Sequence, residues 1–246
     1  TLSSSSAASD VYKRQGNNSN AYIGWDAQQG DKFFTGKIDE IRIWDDIRTQ
    51  TEIKVNMHTE LSGSESNLVA YYNFNDGSGT TSTDLTSNSN DGTMANMDAS
   101  NDWISNTLFA QDYSLDLDGS NDYVEIADDD ALDISNTISI SAWIYPTNVA
   151  NKDGIISKRT STENNGDWAL RFTGSRTLKW LIWDGGSNGS VSSSSSISFL
   201  TKYKAYSFES SRIIFLGSFF ATCLLISEPI EPPAPVIKTF LPLMFF

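Results

Sequence analysis

Carboxylate and amide side chains concentrate in three short loops of this sequence, and they are the groups best suited to bind a ligand. The loops are 75–83 (NDGSGTTST), 84–92 (DLTSNSNDG) and 118–122 (DGSND). Such side chains supply the roughly six to eight oxygen ligands that calcium takes. They also close turns by hydrogen bonding to their own backbone. At Asp118, Asn121 and Asp122 we therefore weigh contact with a cation or a sugar against a plain hairpin turn between two strands.

Tryptophan residues late in the sequence form a second candidate site. Trp180 and Trp183 lie in a predicted strand at 178–183. Sugar rings present C–H faces that stack on aromatic side chains, so an exposed tryptophan is typical of carbohydrate binding. Side chains alternate between the two faces of a strand, so only one of these two can point outward. The alternative is that the tryptophans pack between the sheets.

The chain has too few histidine and cysteine residues for most kinds of catalytic site. The chain has one histidine, His58, and one cysteine, Cys223. A zinc site of the usual Cys/His type cannot be built from them, and a Ser-His-Asp triad would have to use His58. Asp116 and Asp118 alternate along a strand, but they lack the third acid that glycoside hydrolases of sandwich folds carry. We therefore predict that the protein is not an enzyme.

The charge of the chain limits its partners. It has 31 acidic and 17 basic residues, a net charge of -14 and a pI near 4.3. An acidic surface repels phosphate backbones, so we do not expect nucleic acid as a partner. The apolar run Ile213–Ile226 is fourteen residues long. A helix needs about 20 residues to cross a bilayer, so a membrane is not an expected partner either.

The two ends of the chain differ from the rest. Residues 5–15 (SSAASDVYKRQ) resemble the translation of a sequencing adapter, so we set residues 1–15 aside as an adapter-like artefact. No signal peptide is visible at the start. Residues 201–246 contain no Asp, Asn or Trp, yet hold five of the six prolines and seven of the thirteen phenylalanines. Strand alternation also ends there, and we interpret 201–246 as an out-of-frame or chimeric tail.

Residues 16–200 show short alternating segments separated by clusters of Gly, Asn, Asp and Ser, a pattern typical of a β-sandwich. One helix is predicted at about 51–58, because Thr49 and Glu52 have the spacing of a capping box. The fold class predicted is therefore an all-β antiparallel sandwich with one short helix. Strands are predicted at 22–25, 36–44, 68–74, 115–117, 123–126, 137–145, 154–158, 168–172 and 178–183.

Strict alternation also assigns side chains to the faces of the predicted strand 36–44. Asp39 falls on the same face as Ile41 and Ile43, which is an unusual place for a carboxylate. Ile38 falls on the opposite face. If the isoleucines at 41 and 43 face the core, the pattern predicts that Asp39 lies beside them.

Three stretches of the sequence resemble laminin-G-like repeats, which are jelly rolls of the concanavalin A-like kind. Residues 36–57 resemble the closing strand and following helix of a repeat, 68–94 resemble the opening of a repeat, and 115–146 resemble the strands after it. A closing strand that precedes an opening strand implies a junction between tandem modules.

The resemblance thus divides the chain into parts of two modules. Residues 16–60 are the last strands of a first module, 61–66 a linker, and 67–200 the N-terminal part of a second. The second module stops before its own closing strand, so its jelly roll is predicted to be incomplete.

The resemblance further implies sites and a function. Related jelly rolls hold a structural calcium between their first and last strands, which implies Asp39 as a ligand in the first module and Asp76 and Asp84 in the second. The implied function is a non-catalytic carbohydrate-binding or adhesion module of an extracellular or bacterial cell-surface protein. Its expected partners are a glycan or glycoconjugate and the neighbouring repeats. The alternatives are a structural spacer or protein-interaction repeat and, less favoured, a glycan-cleaving enzyme.

Overall fold

The structure is a computed structural model that describes most of residues 18–192 and three later strands. The described residues are 18–106, 112–134, 137–150, 153–159, 167–173, 177–183, 188–192, 204–209, 212–215 and 223–229. The one α-helix among them is α1 (Gln50–Asn56). The strands are β1 (Ala21–Ile23), β2 (Thr35–Trp44), β3 (Leu68–Tyr72), β4 (Thr81–Ser82), β5 (Gly92–Ala95), β6 (Trp103–Asn106), β7 (Asp112–Asp118), β8 (Tyr123–Ile126), β9 (Thr137–Asn148), β10 (Gly154–Lys158), β11 (Trp168–Phe172), β12 (Leu178–Trp183), β13 (Asn188–Ser192), β14 (Lys204–Glu209), β15 (Arg212–Phe215) and β16 (Cys223–Pro229).

The strands form two sheets that pack face to face. Sheet 1 has the order β13-β12-β11-β10-β1-β8-β5-β4. Sheet 2 has the order β15-β14-β16-β9-β2-β7-β6, with β3 also paired to β2. All strand pairs are antiparallel except β14 with β16. One cluster of buried apolar side chains, drawn from both sheets, fills the space between them. The predicted all-β antiparallel sandwich with one short helix is confirmed, whereas β4, β5, β6 and β13 were not predicted, nor were β14, β15 and β16, which lie where strand alternation was expected to end.

Each sheet contains one strand of the first predicted module, placed between strands of the second. In sheet 1, β1 lies between β10 and β8. In sheet 2, β2 lies between β9 on one side and β7 and β3 on the other. Residues 21–44 therefore share both sheets and one core with residues 68–183. In space, β2 completes the sandwich built by the residues that follow it. The division of the sequence into repeats stays a prediction, and so does the origin of residues 201–246.

A β-bulge in β2 determines which side chains of this strand face the core. Asp39 pairs with Trp143 of β9 and Arg42 pairs with Ser141, so three steps along β2 oppose two along β9. Glu40 takes the extra position with a φ of 51°, a left-handed conformation that is rare for residues other than glycine. An extra residue reverses the alternation of every side chain beyond it.

The bulge corrects the predicted faces of this strand. Ile38, Ile41 and Ile43 all lie in the core, because the bulge falls between the first of them and the other two. Asp39 lies on the outer face opposite Trp143, so the prediction that it shares the face of Ile41 and Ile43 is wrong. The strict two-residue period fails here because it assumes an unbroken pleat.

A buried ion pair holds the bulge. The Arg42 guanidinium bonds to the Glu40 carboxylate, and both side chains are almost fully buried. Tyr71 of β3 donates its hydroxyl proton to the same carboxylate, at 2.8 Å and 2.9 Å from the two oxygens. Burial raises the pKa of Glu40, and the Arg42 charge and the Tyr71 hydrogen bond oppose that rise.

Helix α1 and the turn after it cover this outer face of sheet 2. Thr49 and Glu52 form the predicted capping box at the start of the helix. Arg42 donates to the carbonyl oxygen of Asn56, the last residue of the helix, at 2.8 Å and to that of Thr59 in the turn after it at 2.7 Å. No helix in the described part of the chain is long and apolar enough to cross a membrane.

The segment from Asp118 to Asp122 carries the chain from one sheet to the other. Strand β7 before it pairs in sheet 2, and β8 after it pairs in sheet 1. The predicted hairpin between these strands is therefore wrong, although the residues do form a turn. Gly119 has a φ of 80°, and a Cβ there would lie 1.9 Å from Thr35 Oγ1, so only glycine fits this corner.

We expect Arg42→Ala to lower the free energy of unfolding by about 3–5 kcal/mol, because the Glu40 carboxylate would stay buried without its cation. Lys37→Ala in the same strand is the control. Lys37 pairs with Asp116 at 3.8 Å and is partly exposed, so its loss should cost less than about 1 kcal/mol. Urea unfolding followed by tryptophan fluorescence measures both, and equal losses would contradict a special role for the buried pair.

Candidate functional site

Four partly exposed aromatic side chains meet on the outer face of sheet 1 and form what we term the aromatic platform. Tyr22 comes from β1, Tyr123 from β8, and Trp25 and Phe33 from the loop between β1 and β2. In each strand the neighbouring residues are buried and the tyrosine alternates with them, so the tyrosine points away from the core. The platform therefore lies on the surface opposite the hydrophobic core.

The rings of the platform contact one another in a continuous group centred on Trp25. The Trp25 ring centroid lies 5.0 Å from that of Tyr22, 5.0 Å from that of Tyr123 and 5.4 Å from that of Phe33. Trp25 and Phe33 are nearly parallel, whereas Tyr22 meets Trp25 edge to face. These are the favourable geometries for aromatic pairs, so each ring limits the movement of the next.

Polar groups border the platform on its β8 side. Glu125 is paired directly with Tyr22 across the two strands. Its Oε1 accepts from Asn20 Nδ2 at 2.6 Å and from the Tyr22 hydroxyl at 3.5 Å. Partial burial and the nearby Glu125 charge raise the pKa of Tyr22, so this hydroxyl keeps its proton at neutral pH. A ligand on the rings would thus meet a carboxylate, an amide and a hydroxyl along one edge.

The loop that carries Trp25 is fastened to strand β10. Gly24 N donates to Ile155 O at 2.8 Å, and Ser157 Oγ donates to Trp25 O at 2.9 Å. The indole Nε1 of Trp25 donates to Gly30 O at 2.6 Å within the loop. A Cβ at Gly154 would lie 2.3 Å from Asp26 N, so this glycine allows the loop to approach the strand closely.

A buried carboxylate next to Trp25 adds an electrostatic tie. Asp26 is fully buried and its Oδ2 lies 3.2 Å from Arg159 Nη1 and 3.1 Å from Arg171 Nη1. Burial raises the pKa of Asp26, and the two guanidinium charges act against that rise. Asp26 therefore ties the loop to Arg159, just after β10, and to Arg171 near the end of β11, and these ion pairs restrain the backbone that carries Trp25.

The tryptophans singled out in the sequence do not belong to the platform. Trp180 lies in the core, where its ring centroid is 5.9 Å from that of Trp168. Trp183 ends strand β12 opposite Asn188 of β13, and its side chain lies outside the described residues. For Trp180 the structure agrees with the alternative that the sequence left open, namely packing between the sheets.

The loop 118–122 holds its own acidic side chains. Asp118 N donates to Asp122 Oδ2 at 3.0 Å, and Ser120 N donates to Asp118 Oδ1 at 2.6 Å. Asn121 is exposed, and its backbone oxygen accepts from Asn96 Nδ2 at 3.0 Å. The carboxylates thus close the corner between the sheets, and contact of Asp118, Asn121 and Asp122 with a ligand stays a prediction.

The three predicted calcium ligands accept hydrogen bonds from the protein. Asp39 Oδ1 accepts from Glu40 N at 2.7 Å, and Asp76 accepts from the amide and hydroxyl of Thr83. Asp84 accepts four hydrogen bonds of 2.9–3.0 Å, from Tyr71 N, Thr86 N, Thr86 Oγ1 and Asn90 N.

The prediction places these carboxylates in two separate sites, Asp39 in one and Asp76 with Asp84 in the other, and each of them accepts hydrogen bonds from the protein. Within the described residues, no group of three or more His, Cys, Asp and Glu side chains could hold a metal ion. The bonds of Asp84 tie the loop 84–90 to β3, which is a structural task. Calcium binding by Asp39, Asp76 and Asp84 stays a prediction.

Sequence reasoning missed the aromatic platform, although part of the signal was present. In AYI the tyrosine alternates with Ala21 and Ile23, and in YVEI it alternates with Val124 and Ile126, which indicates an aromatic side chain on an outer face. The pairing of β1 with β8, about a hundred residues apart, was not visible. Without that pairing nothing indicates that Tyr22 and Tyr123 lie 5.9 Å apart.

Comparison with known proteins found one family. The family model described as the concanavalin A-like lectin/glucanases superfamily matches residues 1–54 and 118–203, which together are more than half of the chain. These two segments contain β1, β2 and β8 to β13, and so include all four aromatic residues of the platform. No curated protein and no solved structure matches the chain significantly.

We expect Asp84→Ala to lower the free energy of unfolding by about 2–4 kcal/mol, because buried amide groups would lose their charged acceptor. The loss should be the same in calcium and in a chelator, since the four donors belong to the protein. Thermal unfolding of the wild-type and Asp84→Ala proteins tests this, in about 5 mM calcium chloride, which fills even weak calcium sites, and in EDTA, which removes calcium. A loss that appears only with calcium would assign Asp84 to a cation instead.

We expect Asp122→Asn to stabilise the protein at neutral pH. Burial, with smaller contributions from the Asp118 and Asp102 charges, raises the pKa of Asp122 to about 6 from an ordinary value of 3.8. A raised pKa means that the folded state binds the proton more tightly, so ionisation costs stability as pH rises from about 4 to about 6. Asparagine keeps the acceptor for Asp118 N without the charge.

At pH 7 the Asp122→Asn substitution should raise the free energy of unfolding by on the order of 1 kcal/mol. The increase should vanish at pH 3.5, where residue 122 is neutral in the wild-type protein and in the variant. Urea unfolding at the two pH values measures it, and the control is Asp130→Asn, which removes a carboxylate that is exposed. A gain that does not change with pH would contradict the electrostatic explanation.

Proposed function

The chain belongs to the concanavalin A-like lectin/glucanase superfamily, and from this premise we propose that it is a non-catalytic glycan-binding module whose ligand stacks on the aromatic platform. The observation that carries the proposal is the contact group of Tyr22, Trp25, Phe33 and Tyr123 on the outer face of sheet 1. Apolar rings that remain partly exposed on a folded domain are typical of binding surfaces.

The chemistry of the platform suits a pyranose ring. The C–H face of a sugar can lie on Trp25 or Phe33, and its hydroxyl groups need polar partners at the border of the stack. Asn20, Tyr22 and Glu125 supply an amide, a hydroxyl and a carboxylate at that border. The combination of an apolar face and a polar edge matches the two faces of a sugar.

The rigidity of the platform supports binding as well. Trp25 is held by its neighbouring rings, by its indole hydrogen bond and by the ion pairs of Asp26. A surface that is already ordered loses little conformational entropy when a ligand binds. Stacking on this platform therefore needs no rearrangement of the loop.

The carboxylates near the platform support a binding function rather than hydrolysis. Glycosidases need a pair of carboxyl groups placed on either side of the scissile bond. Asp26 is buried between two arginines, Asp128 bonds to Lys158 Nζ at 2.5 Å, and Glu125 is engaged by Asn20. Glu125 is the carboxylate among them that borders the rings.

The proposal includes a location outside the cell or on its surface, in a protein with further repeats, which follows from the family resemblance. In such an array the module would act passively, as a rigid sandwich that presents a surface to a glycan. The sharing of sheets between residues 21–44 and 68–183 supports a unit that spans the predicted boundary between repeats.

We expect Trp25→Ala to weaken binding of neutral glycans at least about tenfold, because the central ring of the platform is lost. Tyr145→Ala is the matched control. Tyr145 is a partly exposed aromatic residue on the outer face of sheet 2, so its loss should leave binding unchanged. Glycan-array screening followed by isothermal titration calorimetry measures the effect, and circular dichroism verifies the fold of both variants.

Two results would count against this function. No binding by the intact chain to any glycan on the array would favour the alternative of a structural spacer. If Trp25→Ala and Tyr145→Ala weakened binding equally, glycan binding would not depend on the platform.

A further inference from the structure

Several carboxylate groups lie beside the aromatic platform. Glu125 borders the rings directly, and Asp129 and Asp130 lie exposed in the segment that follows β8. Asn20 links this segment to the platform, because its Oδ1 accepts from Asp128 N at 3.1 Å while its Nδ2 donates to Glu125.

The cations near the platform are all engaged by carboxylates in the described residues. Lys32 pairs with Asp31 at 2.9 Å. Lys158 is buried and lies 2.5 Å from Asp128 and 3.1 Å from Asp133. The two guanidinium groups below the loop are bonded to Asp26. The surface around the rings thus has a negative balance, in a chain whose net charge is already -14.

We propose that the platform selects uncharged glycans and that Glu125 is its specificity-determining residue. This inference rests on the proposed function. Glu125 Oε1 is engaged by Asn20 and Tyr22, which orient the carboxylate along the edge of the rings. Its other oxygen, Oε2, receives no hydrogen bond from the described residues. It accepts a hydrogen bond from a hydroxyl group of the sugar that stacks on the rings.

The same carboxylate excludes anionic glycans. A sulfate or uronate group at the edge of a ring stacked on Trp25 or Tyr22 would approach Glu125, with no free cation among the described neighbours to receive it. Like charges at such a border repel and reject the wrong partner without a change in shape. The negative balance of the surrounding segment acts in the same direction at longer range.

The experiment compares matched pairs of polysaccharides that share a backbone and differ in charge. Suitable pairs are dextran with dextran sulfate, chemically desulfated κ-carrageenan with κ-carrageenan, and hydroxyethyl cellulose with carboxymethyl cellulose. Binding of the intact chain is measured by affinity electrophoresis and calorimetry in buffer of physiological ionic strength. In the pair whose backbone the protein binds most tightly, we expect the neutral polysaccharide to bind at least about tenfold more tightly than its anionic counterpart.

The variant Glu125→Gln tests the assignment of the residue. Glutamine keeps an acceptor for Asn20 and Tyr22 but removes the charge, so we expect neutral binding to weaken by about threefold to tenfold and the preference over the anionic member to shrink. Asp130→Asn is the control, because it removes an equal charge away from the rings and should change the preference far less.

The outcomes separate this inference from the proposed function. Tight, salt-sensitive binding of a sulfated member that Trp25→Ala abolishes would overturn the charge selection and leave the platform as the site. Binding of neutral glycans that Glu125→Gln does not change would overturn the role of Glu125. No binding of either member of any pair would overturn the proposed function itself.

Discussion

The β-bulge at Glu40 is the constraint on which the arrangement of sheet 2 depends. Strand β2 pairs with β9 along its whole length and with β7 and β3 on its other edge, so a change of register in β2 would displace three neighbours. The bulge places Ile38, Ile41 and Ile43 in the core together. An unbulged strand would turn either the first of these or the other two outward, at a cost of about 1.5–3 kcal/mol for each buried side chain.

The bulge is sustained by groups that would be costly to bury separately. Arg42 satisfies the Glu40 carboxylate and carbonyl oxygens at the end of helix α1 and in the turn after it, and Tyr71 contributes a hydroxyl from β3. A buried ion pair is stable only when hydrogen bonds satisfy the rest of both groups. The same network therefore fixes the register of β2 and the position of helix α1 on the sheet.

The aromatic platform depends on a similar arrangement on the opposite sheet. Strand β1 is only three residues long, and it separates β8 from β10. Tyr22 reaches Tyr123 because of that pairing, and the loop after β1 reaches back over β10 through Gly154 and Asp26. Short strands and buried ion pairs thus position rings that a regular strand alone would not bring together.

Local features of the sequence determined the fold class, the positions of nine of the sixteen described strands and the capping box of α1, because each depends on residues within one segment. β10, β11 and β12 were predicted with their exact bounds for this reason. The sequence did not determine the faces beyond Asp39, the change of sheet at Gly119 or the platform. Each of these depends on which strands become neighbours, and that is decided by packing the whole chain around one core. Trp180 and Trp25 illustrate the difference: the sequence presents both as aromatic residues near polar neighbours, and only the tertiary structure decides that one is buried and the other is left at the surface.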